Sequence, residues 1–122
     1  MTPQDLLKLY ESQINLHRFD AVAPLIAADA VFWFNDGSFV GHAAISGAFK
    51  RTWASMGDEI YWLSELRWIA VGDMAASCIY QFNWKASING QEASGIGRGT
   101  TVLRHEADGW RIVHEHLSGI PG

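Results

Sequence analysis

The sequence predicts an α+β fold, with N-terminal helices packed on one face of a curved antiparallel sheet. Two patterns carry that expectation. Apolar residues recur at helical spacing near the N-terminus, whereas beyond Gly57 the period becomes alternating. The alternating stretches are separated by Gly72-Asp73, Asn89-Gly90 and Asp108-Gly109, which are hairpin signals. Helices first and a strand meander last place the helices together on one face of the sheet. The 122 residues suffice for one domain, 1–122, with its own core.

Thr2-Pro3-x-Asp5 is a helix start, with Thr as N-cap and Pro in the first turn. Leu6, Leu7, Tyr10 and Ile14 then form a helical stripe that runs on to Leu16 or His17. Arg18-Phe19-Asp20 breaks it, and Asp20 is expected to cap a short second helix carrying Val22, Leu25 and Ile26. Residues 30–35 read as a strand apolar on both faces, ended by an Asp36-Gly37 turn. A third helix fits residues 43–53, with Ile45, Phe49 and Trp53 four apart on one side. Strands follow at 60–71, 75–87, 92–104 and 110–117. Gly95-x-Gly97-x-Gly99 lies inside the third of these, so it marks curvature or close backbone approach rather than a phosphate loop opening a helix.

Six Trp, six Phe and three Tyr accompany charged residues at only 18%, against a typical ~25%. So much aromatic area on a short chain implies a ligand cavity or a subunit interface. An apolar content of 48% with net charge −4 excludes a disordered chain. The acidic balance, without runs of Lys or Arg, argues against a nucleic-acid partner, and the absence of a long apolar stretch against a membrane one. A single cysteine, Cys78, in an apolar run reads as a packed thiol in a cytoplasmic protein.

In the last strand Trp110, Ile112, His114 and His116 share one face by alternation, and Arg111, Val113, Glu115 and Leu117 the other. Tyr80, Phe82 and Trp84 likewise alternate with Ile79, Gln81 and Asn83. Both faces are apolar, as in a sheet covered by helices on one side and by a second subunit on the other. His114-x-His116 has a spacing metals accept, but no third ligand is evident, so neither a metal nor a cofactor is assigned.

Several segments resemble the nuclear transport factor 2-like superfamily, in particular its SnoaL-like group: Asn15-x-x-x-Phe19-Asp20, residues 25–31 and Gly41-His42-Ala43-Ala44-Ile45. The ending, residues 109–121, is similar to the terminal W-x-x-V-H-x-H-x-S-G-x-P motif of the calcium/calmodulin-dependent kinase II association domain. The resemblance implies a cone-shaped α+β barrel whose curved sheet and helices enclose a pocket, and dimers formed through outer sheet faces. Against the distant ketosteroid isomerase branch, Tyr10 falls on the oxyanion-donating tyrosine, Phe34 on the aspartate base, and Thr100 or Thr101 on the second donor. A phenyl ring cannot accept a proton, so that enzyme's base is missing. The same alignment turns Val113, Glu115 and Leu117 toward the pocket and His114 and His116 outward.

Two functions are compatible with these features. In the first, a small apolar ligand occupies a pocket lined by Trp33, Phe34, Phe49, Trp53, Ile79, Leu103, Val113 and Leu117, with Gln81, Asn83 and Thr101 as polar contacts. Glu115 and Tyr10 would be catalytic, as general acid or base and as oxyanion donor, in proton transfer, isomerisation or dehydration of an apolar carbonyl compound. In the second, the domain is a non-catalytic association module. In either case a homodimer would form through Tyr80, Phe82, Trp84, Trp110, His114 and His116.

Overall fold

The Thr2 hydroxyl accepts the Asp5 N–H at 3.0 Å while the Asp5 carboxylate accepts the Thr2 N–H at 3.1 Å. This reciprocal cap starts helix α1, Pro3–Ile14, in a computed structural model that describes residues 1–121. Gly122 of the expected domain lies outside the described residues. Helix α2, Phe19–Val22, begins after Arg18 rather than at Asp20, and a 3-10 turn, Ala23–Leu25, follows it. Pro24 has no N–H to continue an α-helical ladder, so Ile26 belongs not to that helix but to strand β1, Ile26–Phe34. A two-residue turn, Asn35-Asp36, leads to β2, Gly37–Val40, which is too short to carry an alternation legible in sequence. Helix α3, Gly41–Ser55, buries Ile45, Ala48 and Phe49.

Four long strands complete the chain: β3, Gly57–Val71; β4, Ala75–Ile88; β5, Gln91–Glu106; and β6, Gly109–Gly119. The sheet order is β2-β1-β6-β5-β4-β3. The meander is antiparallel as expected, but β1 pairs with β6 in parallel, with Phe32 opposite Glu115. Hairpin signals reveal only neighbours in sequence, so this long-range pairing was not legible. Asn89 and Gly90 both have positive φ, 53° and 78°, as the tight β4–β5 turn requires. The β5–β6 turn uses Ala107-Asp108, one residue earlier than expected.

The β4–β5 register sets Tyr80 opposite Gly99, Phe82 opposite Gly97 and Trp84 opposite Gly95. A Cβ at any of these glycines would run into the ring across from it. The three rings therefore lie against bare backbone, on the face that the helices cover. This corrects the expectation that Tyr80, Phe82 and Trp84 form an outer interface: Tyr80 is buried, Phe82 packs against the core, and Trp84 is half-buried on the same face. Ile79, Gln81 and Asn83 consequently face outward. Asn83 is buried there by its own bonds, donating to the Trp62 carbonyl at 3.1 Å and to Ser64 Oγ at 3.0 Å, while Gln81 donates to it at 2.9 Å.

Strand β6 carries a bulge. Val102 pairs with His114 but Leu103 pairs with Ile112, which leaves Val113 as the extra residue. The alternation changes phase there. Trp110 and Ile112 join the core from one side of the bulge, and Glu115 and Leu117 face the same interior from the other. His114 and His116 point outward, but Trp110 does not, contrary to the uninterrupted alternation. Its ring is buried edge-on to His105 at 5.2 Å.

If the glycine row is required by the rings above it, Gly99→Ala should lower stability by about 1–3 kcal/mol, because the new methyl meets both Tyr80 and Leu117. Urea unfolding would measure this, with Met74→Ala at the exposed β3–β4 turn as the near-neutral control.

Candidate functional site

Between α1, α3 and the covered face of the sheet lies a cavity of about 250 Å³. Its aromatic wall comes from β1 (Phe34), α3 (Phe49, Trp53), β3 (Tyr61) and β4 (Phe82, Trp84). The rings pack on one another: Phe34 and Phe49 at 6.2 Å, Phe49 and Trp53 at 5.5 Å, Tyr61 and Phe82 at 6.1 Å. Asn15 on α1 steadies β3 by bonding the backbone of Tyr61 in both directions, at 2.9 and 2.8 Å. Three carboxyls also line the cavity, running from exposed Asp36 through half-buried Glu59 to fully buried Glu115.

Of the residues expected in the pocket, Phe34, Phe49, Trp53, Glu115 and Leu117 line it. Trp33 does not. It is 47% exposed on the outer face, edge-on to His114 at 5.0 Å and His116 at 5.5 Å, because alternation along β1 opposes it to Phe34 and Phe32. Ile79, Gln81 and Asn83 lie on the outer face for the same reason. Thr101 and Leu103 point inward but are completely buried beside the cavity, with the Thr101 hydroxyl bonded to Tyr80 Oη at 2.7 Å. Val113, at the bulge, packs against the core rather than the cavity wall. Tyr10 lies buried behind the wall.

Tyr61, Phe82, Trp84, Met56 and Glu59 were not anticipated. A signal for two of them was present. Counting back from the Asn89-Gly90 turn sets Phe82 and Trp84 opposite glycines, which leaves room for both rings on one shared face.

Glu115 is 2% exposed, and neither its Oε1 nor the Tyr10 hydroxyl has a partner at hydrogen-bonding geometry among the described residues. Tyr10, Tyr61, Tyr80 and Cys78 are close enough for its charge to act on them. Burial pushes the Glu115 carboxyl up to about 8, an effect that nearby Tyr10 offsets only in part. Burial likewise raises all three tyrosines well above their ordinary range, so they stay neutral. The Cys78 thiol is pushed up to about 12, which leaves it unreactive. Burial raises Glu59, with a smaller opposing pull from His17, whose ring stacks on Trp53 at 5.5 Å and whose Nε2 donates to the Glu59 carbonyl at 2.9 Å.

On the outer face, His114 Nδ1 donates to the Val31 carbonyl at 2.6 Å. Among the described residues, no group of three or more His, Cys, Asp or Glu is placed to hold a metal ion, and no helix is long and apolar enough to cross a membrane.

The SnoaL-like domain family profile matches residues 4–121. The chain belongs to that family. Its fold is shared with a nuclear transport factor 2-like superfamily protein from Salmonella enterica, at a TM-score of 0.88 and 22% identity over 97% of this chain and 88% of that one. A Xanthomonas campestris protein provisionally named a calcium/calmodulin dependent protein kinase II association domain superposes at 0.84, with 18% identity over 95% of this chain and 84% of that one. A Streptomyces avermitilis protein of the NTF2-like family, provisionally named a dehydratase, superposes at 0.83, with 14% identity over 96% of this chain and 93% of that one. No curated protein matches the SnoaL-like chain in sequence.

The raised Glu115 value makes stability pH-dependent. The folded carboxyl holds its proton above the ordinary value of 4.5, so its contribution is complete below that pH and is lost as pH rises toward about 8. The slope across that window should approach about 1.4 kcal/mol per pH unit. Glu115→Gln should flatten the curve, and unfolding measured from pH 4.5 to 8.5 would reveal an unchanged slope if Glu115 were not its source.

Proposed function

We propose that this SnoaL-like domain binds a small, largely apolar organic molecule in its aromatic cavity and that Glu115 transfers a proton to or from it. The observation that carries this reading is a fully buried carboxyl with an unpartnered oxygen in the wall of an aromatic cavity. A structural carboxylate at such a site would have a cation or several donors around it. An acid whose pKa lies near neutrality suits general acid–base work. The reaction class supported best is isomerisation or dehydration of a carbonyl compound, with Tyr10, behind the wall, as a neutral donor that steadies Glu115. The provisional dehydratase name of a fold relative is in keeping with this. Cavity-sized carbonyl and hydroxy-carbonyl compounds can be screened for turnover. Glu115→Gln should then lower kcat by about 100-fold or more with KM nearly unchanged, and Tyr10→Phe should lower it less. Wild-type turnover by Glu115→Gln would remove the proposal.

A second reading, self-association as a homodimer, is favoured by the outer sheet face. Trp33, Trp62, Ile79 and Ile96 are large apolar residues exposed there beside His114 and His116. Burying them against a second copy would remove this apolar area from water. Trp33→Glu should shift the sedimentation mass from dimer to monomer, and a wild-type protein already monomeric at micromolar concentration would contradict the proposal. The buried, unpaired Cys78 is consistent with a cytoplasmic protein.

A further inference from the structure

The charged groups that line the cavity are all acidic, and the other polar side chains there are neutral, among them Asn35 and Thr52. Asp36 and Glu59 stand near its opening and Glu115 within it, yet no Lys, Arg or His is among the residues that line it. The nearest basic influence on Glu59 is His17, which lies behind the Trp53 ring with Nε2 committed to a backbone carbonyl. Phe34, Phe49, Trp53, Tyr61, Phe82 and Trp84 line the same cavity, and the faces of such rings carry the negative side of the quadrupole. Glu115 adds a carboxyl oxygen that has no partner at hydrogen-bonding geometry among the described residues.

An anion entering this space would meet like charge at Asp36 and Glu59 and π-density, with neutral donors alone, such as Asn35 and Thr52, to compensate for its lost hydration. A protonated amine would meet favourable interactions from both. Ammonium groups bind ring faces, more strongly as water is excluded, and a half-buried carboxyl interacts with a cation more strongly than a solvated one does. Trp53 and Glu59, from α3 and β3, line the same cavity as exposed Asp36 on the β1–β2 turn.

We infer that the cavity selects a small organic cation, an amine protonated at neutral pH on an apolar or aromatic body, with its ammonium head held by Glu59, Asp36 and the ring of Trp53. The body would lie along Phe34, Phe49, Tyr61 and Phe82, which brings its far end toward Glu115. The inference rests on the reading of this cavity as a ligand site and adds the charge of the ligand to it.

Three probes with one body separate charge from shape: phenethylammonium, 2-phenylethanol and phenylacetate. Calorimetry would measure affinity, and fluorescence quenching would report entry, since Trp53 and Trp84 line the cavity. The cation should bind about ten-fold or more tightly than the alcohol, and phenylacetate more weakly than either. Glu59→Gln should remove most of that preference while leaving alcohol binding unchanged. Asp36→Asn, at an exposed turn, gives a second test that is independent of any folding defect at Glu59. Equal binding of cation and alcohol, or preferred binding of phenylacetate, would overturn the charge selection and leave the ligand site standing. Failure of all three to enter the cavity would overturn both.

Discussion

One extra residue in the last strand determines which side chains meet inside this molecule. Without the bulge at Val113, β6 would alternate strictly, and Trp110 and Ile112 could not share an interior with Glu115 and Leu117. The bulge rotates the second half of the strand relative to the first, because side-chain direction in a strand has period 2. The lower half can then close the core beneath α1, while the upper half delivers a carboxyl to the cavity. The same shift sends His114 and His116 outward to meet Trp33.

The glycine row of β5 complements it. Three rings on β4 need depth on the covered face, and the neighbouring strand supplies that depth by presenting no side chains opposite them. Phe82 and Trp84 then reach the cavity, while Tyr80, bonded to Thr101, fills the space beneath. Bare glycine in a strand ordinarily costs stability; here the ring packing offsets that loss. Around Glu115 the balance runs the other way. A buried carboxyl surrounded by neutral phenols and a neutral thiol keeps its proton rather than its charge, which is a strained arrangement for a structural residue and a serviceable one for acid–base chemistry.

Much of the fold was legible in sequence because its signals are local. The cap at Thr2, the α1 stripe, the Asn89-Gly90 turn and the four long strands all depend on neighbours within a few residues. Strand β2 and the parallel β1–β6 pairing were not legible, the first for its brevity and the second for its separation along the chain. At the candidate site, Phe34, Phe49, Trp53, Glu115 and Leu117 were legible, two by helical spacing and three through the family alignment. Trp33, Gln81 and Asn83 were misplaced because a strand apolar on both faces does not declare which is inside.

The sequence alone determined the fold class, the secondary-structure periods, the turns and the aromatic surplus, since these follow from composition and short-range spacing. It also supplied the SnoaL-like resemblance that the family profile bears out. Only the tertiary structure decided how the aromatics divide. Phe34, Phe49, Trp53, Tyr61, Phe82 and Trp84 line the cavity, and Trp33 and Trp62 remain outside. The physical reason is phase: strand alternation specifies two faces but does not label them. The Asn89-Gly90 turn fixes the register that sets three rings over glycines, but helix packing decides which face is covered. The phase of β6 comes from a bulge that local sequence does not encode.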